Sequence, residues 1–129
     1  MNFVKFLIAE RRDDVLVVSL LRNVGCFSAE DFQDEWQELV RMTNDETIRH
    51  AIVDFRRVAY FGSILLELTL YLSRRMQPRG GQVVLCNLST FGVEVIRAMK
   101  FDNLCQLAPD YDQAVALLQS RGWVGRRAT

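Results

Sequence analysis

The chain has 129 residues, which is enough for one domain with a single core and too few for two. Sixteen lysines and arginines balance sixteen aspartates and glutamates, so the net charge of zero argues against nucleic acid or a membrane surface as a partner. Residues 1–8 are mostly apolar but form too short a segment, too soon followed by charges, for a signal peptide or a membrane span. Three widely spaced cysteines fit neither a disulfide framework nor a zinc site, and we expect reduced, mostly buried thiols in a cytoplasmic protein: Cys26, Cys86 and Cys105.

The first third of the chain predicts two strands followed by a helix. Residues 15–21 are rich in β-branched side chains and predict a strand, and residues 3–8 predict an antiparallel edge strand joined to it by a charged turn at residues 11–14. Ser28 is a candidate N-cap for the helix that follows. Apolar side chains recur there at helical spacing and form one stripe: Phe32, Trp36, Leu39 and Val40. Acidic residues occupy the other face, which we expect to be solvated: Glu30, Asp34, Glu35 and Glu38.

The middle of the chain predicts a strand, a helix and a second strand. Residues 51–55 are short and apolar, as in a central strand that is covered on both faces. Residues 63–77 predict an amphipathic helix, and Pro-Arg-Gly-Gly at 78–81 predicts a turn into a strand at residues 82–86. We expect the two strands to be parallel, with a right-handed crossover. Three arginines at the end of the helix are interpreted as a solvated helix end, with pairing to an acidic partner surface as the alternative: Arg74, Arg75 and Arg79.

Two smaller units follow. Ser89 or Thr90 is predicted to cap a short helix whose apolar residues share one face: Phe91, Val95, Ile96 and Met99. Residues 104–107 predict a last strand. Asp110 with Gln113 three residues later resembles a capping box, which opens the final helix.

These elements together predict the fold class. We expect a single α/β domain with a mixed, mostly parallel sheet of four or five strands flanked by about four helices. The domain is predicted to span residues 1–120, because Gly122 is expected to end the last helix. Residues 121–129 are then a basic, frayed tail.

Sequence motifs for catalysis or cofactor binding are not found. The chain has no glycine-rich dinucleotide or phosphate-binding fingerprint, and His50 is its only histidine. A nucleophilic triad would have to use His50, and a catalytic zinc site usually takes about three protein ligands rich in His and Cys. We therefore predict no enzyme activity, no catalytic residues, no bound metal and no cofactor.

Five segments carry a resemblance to a known family: Ala-Ile-Val-Asp-Phe at 51–55, Val-Ala-Tyr-Phe-Gly-Ser at 58–63, Ser-Arg-Arg-Met-Gln-Pro-Arg-Gly-Gly at 73–81, Val-Val-Leu-Cys-Asn-Leu at 83–88 and Asp-Gln-Ala-Val-Ala-Leu-Leu at 112–118. Over residues 3–118 the chain resembles a STAS domain. That family contains anti-sigma factor antagonists and the cytoplasmic domains of sulphate transporters. Each segment alone is a weak signal, and their order is more specific than any one of them.

The resemblance implies a phosphorylation site and a protein partner. In antagonists of this family the loop usually ends Asp-Ser-Ser-Gly-Leu, and the partner anti-sigma kinase phosphorylates the first serine. Ser63 aligns with that serine, while Gly62, Ile64 and Leu65 replace the aspartate, the second serine and the glycine. The resemblance implies that the chain binds an anti-sigma factor or kinase-like regulator and releases its client, and that phosphorylation of Ser63 ends this binding.

The predicted docking surface is the loop before Ser63 and the start of the next helix: Arg56, Arg57, Phe61, Gly62, Ser63, Ile64 and Leu65. A phosphate on Ser63 would face the N–H groups and the positive dipole end of that helix, and Arg56 and Arg57 are near enough in sequence to reach it. The phosphate would also add about two negative charges to an apolar surface. The alternative role for Ser63 is a plain helix cap.

Two other functions stay open. The altered residues beside Ser63 suit a degenerate STAS scaffold that binds a protein constitutively, with a homodimer as one form of such assembly. Open α/β sheets bind ligands at the carboxyl ends of their strands, so the domain is alternatively a sensor of a small ligand or nucleotide.

Overall fold

A computed structural model describes residues 6–21, 33–59 and 62–128, with the side chains of the last range described as far as residue 119. The described chain contains the following strands and helices: β1 (Leu7–Arg12), β2 (Val15–Leu20), α1 (Gln33–Thr43), β3 (His50–Asp54), α2 (Ser63–Met76), β4 (Val83–Cys86), α3 (Thr90–Ala98), β5 (Gln106–Ala108) and α4 (Tyr111–Ala128). Two short 3₁₀ helices follow α2 and α3: Gln77–Arg79 and Phe101–Asn103. None of the described helices combines the length and the apolarity that crossing a lipid bilayer needs.

The strands of the described chain form one five-stranded sheet in the order β1-β2-β3-β4-β5. β1 runs antiparallel to β2, and each of the pairs β2–β3, β3–β4 and β4–β5 is parallel. Every parallel connection contains one of the helices α1, α2 and α3, which provides the crossover that parallel neighbours need. The predicted α/β class and the mixed, mostly parallel sheet are confirmed, and β3 is central as its apolar sequence indicated.

Alternate side chains of the strands point to opposite faces of the sheet and build two cores. The larger core joins β2, β3 and β4 to α1, α2 and α3: Leu16, Val18, Ala51, Val53, Leu85, Leu39, Leu68, Leu72 and Ile96. On the opposite face, α4 covers part of the sheet through a smaller cluster: Ile52, Val84, Cys86, Ala108, Ala114 and Leu118. The helix that begins at Ser63 therefore lies on the face with the larger core.

The first hairpin differs from its predicted bounds. β1 extends to Arg12, and the turn contains only Asp13 and Asp14, with Asp13 in the left-handed region at φ 57°. Aspartate is one of the residues that tolerate this conformation, and charged side chains suit an edge strand because water reaches one side of it. Several residues used in the predictions for this part of the chain lie outside the described ranges: 3–5, Ser28, Glu30 and Phe32.

Glu35, which was predicted to face solvent, is half-buried. It precedes the buried Leu39 by one helical turn, so its side chain lies beside the core. Both carboxylate oxygens accept hydrogen bonds from the Phe6 amide at 2.7 Å, and Oε1 also accepts one from the Leu7 amide at 3.2 Å. The prediction that Glu35 faces solvent is wrong because backbone amides at a sheet edge need acceptors. Helical spacing within α1 does not show that such amides lie nearby.

The end of the chain departs from prediction in two places. The last strand is Gln106–Ala108 rather than residues 104–107, because the 3₁₀ helix and its C-cap Leu104 occupy the preceding segment. α4 continues through Gly122 to Ala128. A glycine inside a helix costs only about 1 kcal/mol relative to alanine, which does not by itself end the helix.

Cys86 and Cys105 are buried and free, and Cys26 lies outside the described residues. Burial raises the pKa of both buried thiols to about 12. Both therefore stay protonated near neutral pH, which makes them packing residues and not reactive thiolates.

Candidate functional site

The loop between β3 and α2 begins with a tight turn that is anchored in the core. Phe55 and Val58 are only 1% and 2% exposed, and the Val58 amide donates to the Phe55 carbonyl at 2.9 Å. The Phe55 amide donates in turn to the Cys86 carbonyl at 3.0 Å, which ties the turn to the end of β4. The two residues between these anchors, Arg56 and Arg57, are exposed. The apolar anchors thus hold two arginines at the surface.

The loop ends at Gly62, which is the N-cap residue of α2 and has extended backbone angles (φ −110°, ψ −160°). Ser63 is the first helical residue, and its side chain is exposed. Among the described residues its hydroxyl has no hydrogen-bond partner, and the N-cap position supplies no side-chain bond to the helix. The plain-cap role for Ser63 is therefore wrong, because capping requires the residue before the first helical one.

The residues around Ser63 differ in accessibility. Ile64 is half-buried, whereas Leu65 is 1% exposed and packs in the larger core. The burial of Leu65 corrects its place in the predicted docking surface, since the third position of α2 faces the sheet. Phe61 lies outside the described residues. The described part of the surface thus contains an exposed serine hydroxyl beside one partly exposed aliphatic side chain, together with the exposed Arg56 and Arg57.

A second segment, the turn between β4 and α3, meets the loop at the same edge of the sheet. Asp54, the last residue of β3, accepts hydrogen bonds through Oδ1 from the Arg56 amide and from Asn87 Nδ2, both at 2.9 Å. Ser89 donates through its hydroxyl to the Ala59 carbonyl at 2.8 Å. The contacts made by Asn87 and Ser89 were missed in the sequence, where only the capping role of Ser89 was foreseen. The capping role of Ser89 is predictable because apolar residues at helical spacing follow it. Its contact with the loop leaves no comparable pattern in the sequence.

Arg56 lines an open groove of about 380 Å³ at the carboxyl ends of the parallel strands. Its walls carry three carboxylates, two guanidinium groups and an aromatic ring, among other side chains: Asp54, Asp110, Asp112, Arg12, Arg56 and Tyr111. The guanidinium of Arg12 is already engaged, since it donates to the Tyr111 hydroxyl at 2.8 Å and to Glu10 at 3.3 Å. The groove lies at the edge of the sheet where open α/β folds bind their ligands.

His50 lies at the opposite edge of the sheet, at the start of β3. It is buried, and its Nδ1 accepts a hydrogen bond from the Gln82 amide at 3.0 Å. A ring held in this way at the amino end of β3 is not placed to activate Ser63 at the carboxyl end. Among the residues that the structure describes, no group of three or more His, Cys, Asp or Glu side chains is arranged to hold a metal ion.

Comparison with known proteins agrees with this geometry. The family model of the STAS domain matches residues 7–114, and no curated protein sequence matches the chain significantly. The chain is similar to the structure of an anti-sigma-factor antagonist (STAS) domain protein from Planctomyces limnophilus, with a TM-score of 0.70, 19% identity, and 88% of this chain and 97% of that chain covered.

Two further structures have similar scores. The anti-sigma factor antagonist from Mycobacterium paratuberculosis gives a TM-score of 0.68 at 19% identity, covering 88% of this chain and 92% of that chain. The Bacillus cell fate determinant SpoIIAA in its phosphorylated form gives 0.66 at 16% identity, covering 87% and 98%. At these identities the structures show a shared fold. With the family model matched over most of its length, the chain belongs to the STAS domain family.

Proposed function

We propose that this chain is a non-enzymatic, cytoplasmic regulatory module of the anti-sigma factor antagonist type. It binds an anti-sigma factor or a kinase-like regulator through a docking surface that we define as Arg56, Arg57, Phe61, Gly62, Ser63 and Ile64. The observation that carries the proposal is the position of Ser63: its exposed hydroxyl stands at the first residue of α2 and has no hydrogen-bond partner among the described residues. A hydroxyl in this position is accessible to a kinase.

Phosphorylation of Ser63 then ends binding by a physical mechanism. The positive end of the α2 dipole and the N–H groups of its first turn stabilise the phosphate, so the modified serine is tolerated in the folded protein. The same phosphate adds about two negative charges next to Ile64. A partner that buries Ile64 would have to desolvate those charges, and its affinity falls for that reason.

The test compares two substitutions of the same side chain. We expect Ser63→Ala to retain the partner and Ser63→Asp to weaken it by at least about tenfold, which is about 1.4 kcal/mol. Partners are first captured from native-host lysate with wild-type bait and identified by mass spectrometry with phosphosite mapping. Affinities of the purified partner for each variant are then measured by calorimetry.

The control for added charge is Gln77→Glu. Gln77 is exposed at the C-cap of α2, the opposite end of the helix from Ser63, so its substitution adds a negative charge away from the docking surface. This variant should bind like the wild type. Equal affinity for Ser63→Asp and Ser63→Ala, with no phosphate on Ser63, would mean that the protein is a constitutive scaffold without a switch.

The groove beside Arg56 favours a second candidate function, the sensing of a small polar ligand or nucleotide. Its volume of about 380 Å³ lies within the range of ligand pockets, and its walls offer both hydrogen-bond donors and acceptors. A ligand at a hundred times its dissociation constant should stabilise the fold by about 2.7 kcal/mol. We expect a thermal-shift panel of nucleotides to reveal such a ligand, with the shift lost in Arg56→Ala. A panel without any shift removes nucleotides as candidates.

A further inference from the structure

The turn between β4 and α3 contacts the loop before Ser63 at two separate points. Asn87 donates to Oδ1 of Asp54 at the start of the loop, at 2.9 Å. Ser89 donates to the carbonyl of Ala59, five residues further along, at 2.8 Å. Between these points the loop is held by its own tight turn, with the Arg56 amide bonded to Asp54, and by the bond from the Phe55 amide to the Cys86 carbonyl. We call Asn87 and Ser89 the clamp residues.

Each clamp residue is itself held in place. Asn87 has a left-handed backbone at φ 60°, a conformation that asparagine tolerates better than most residues and that costs free energy unless the surroundings require it. Ser89 is the N-cap of α3, and its oxygen accepts a hydrogen bond from the Gly92 amide at 3.0 Å. Because that bond fixes the oxygen, the Ser89 proton points to Ala59. The clamp therefore connects the loop to the rigid ends of β4 and α3.

We propose that the clamp residues hold residues 54–59 in one arrangement, so that Arg56 and Arg57 of the docking surface are in place before a partner arrives. This inference rests on the proposed function, because Arg56 and Arg57 belong to that surface. A partner that binds a loop of several arrangements must order it, and that ordering lowers the affinity; a loop held in one arrangement avoids the cost. Ser89 is on this account a positioning residue, which acts on the partner through the backbone of the loop.

Hydrogen exchange of the full-length protein tests the clamp without any partner. Ser89→Ala removes both the bond to Ala59 and the helix cap, so we expect amides in a peptide covering residues 55–62 to exchange about five to ten times faster. Ser89→Thr keeps the hydroxyl and should exchange like the wild type. Asn87→Gly, which keeps the left-handed backbone accessible but removes the bond to Asp54, should also speed exchange.

The matched control is Asp45→Ala. Asp45 accepts the Thr47 amide through Oδ1 at 2.9 Å, so this change also removes a side-chain to backbone hydrogen bond, but at the amino edge of the sheet. Exchange in the loop should not change. Loop exchange that is unchanged in both Ser89→Ala and Asn87→Gly, or raised as much in Asp45→Ala, would overturn the clamp.

Partner affinity separates this inference from the proposed function. If the regulator binds, Ser89→Ala should weaken its binding about fivefold, while Ser89→Thr and Asp45→Ala should bind it normally. Faster loop exchange with unchanged affinity would overturn the positioning role. If the wild type binds no regulator, the proposed function fails, and the exchange results alone still decide whether the clamp holds the loop.

Discussion

Single residues in this fold carry roles that their chemical type does not reveal, and Glu35 is the clearest case. Its carboxylate accepts hydrogen bonds from the amides of Phe6 and Leu7, at the start of the edge strand β1. Hydrogen bonds to a charged group contribute about 1.5–3 kcal/mol, and a buried amide without an acceptor is costly. Glu38, one turn away on the same helix, is exposed and pairs with Arg41 at the surface.

Substitution of these two glutamates should separate their roles. We expect Glu35→Ala to lower the free energy of unfolding by about 2 kcal/mol, because it leaves the two amides without their acceptor. Glu35→Gln keeps one acceptor oxygen and should lose less. Glu38→Ala is the control and should change stability little, since exposed ion pairs contribute little. Urea denaturation measures the stability of all three variants. Equal losses of unfolding free energy for Glu35→Ala and Glu38→Ala would show that the hydrogen bonds of Glu35 do not stabilise the fold.

At the scale of elements, side chains at the end of α2 and in the 3₁₀ helix after it form hydrogen bonds with the end of α1 and the segment that follows it. Arg79 donates to the carbonyls of Thr43 and Ile48 at 2.6 and 2.8 Å, and Arg75 donates to the Asn44 side chain at 2.7 Å. The last carbonyls of a helix have no partner within it, and a guanidinium near that end also favours the helix dipole. The interpretation as a solvated helix end is therefore wrong for Arg75 and Arg79. Arg74 is exposed, as that interpretation predicted.

The forked geometry of Arg79 gives a testable stability effect. We expect Arg79→Ala to lower the free energy of unfolding by about 2 kcal/mol, because several carbonyls lose a charged donor at once. Arg79→Lys keeps the charge but not the planar fork, so it should recover only part of the loss. Arg74→Ala is the matched control and should stay near wild type by urea denaturation. Full recovery in the lysine variant would mean that charge alone matters.

At the scale of the whole molecule, the carboxyl and amino ends of the parallel strands differ in the groups they expose. The carboxyl ends of the strands collect exposed and polar groups, among them Asp54, Asn87 and Ser63. At the amino end of β3 the neighbouring backbone approaches closely. A Cβ on Gly81 would lie 1.5 Å from the Arg49 carbonyl oxygen, so only glycine fits there. Binding is proposed at the carboxyl ends because the exposed Ser63 stands there.

The extent of the folded domain is a prediction at the same scale. We propose that residues 1–120 form the domain, because the core on the α4 face ends at Leu118 among the described residues. A chain that ends at residue 120 should keep a urea midpoint close to that of the full chain. For comparison, Leu118→Ala should cost about 3 kcal/mol by loss of buried side-chain volume. A truncation as costly as Leu118→Ala would place residues 121–128 in the folded domain.

The sequence predicted much of the fold and part of the site. Apolar periodicity located β3, α2 and β4 nearly to the residue, and the capping pattern located the start of α3. These features are local, since they depend on residues a few positions apart. The position of Ser63 at the start of α2 followed from the same pattern. Its exposure and the burial of Leu65 depend on how α2 lies on the sheet, which one helix cannot specify.

What the sequence determined by itself is the alternation of strands and helices, and with it the parallel sheet and the edge at which Ser63 stands. The reason is that burial of apolar side chains and the permissive backbone of residues such as Gly80, with φ 74°, act locally. Only the tertiary structure decided which distant groups meet: Glu35 with the amides of β1, Arg79 with the end of α1, and Ser89 with Ala59. Each of these bonds joins residues about thirty positions apart, and hydrophobic periodicity shows which side chains are buried but not what their polar neighbours bind.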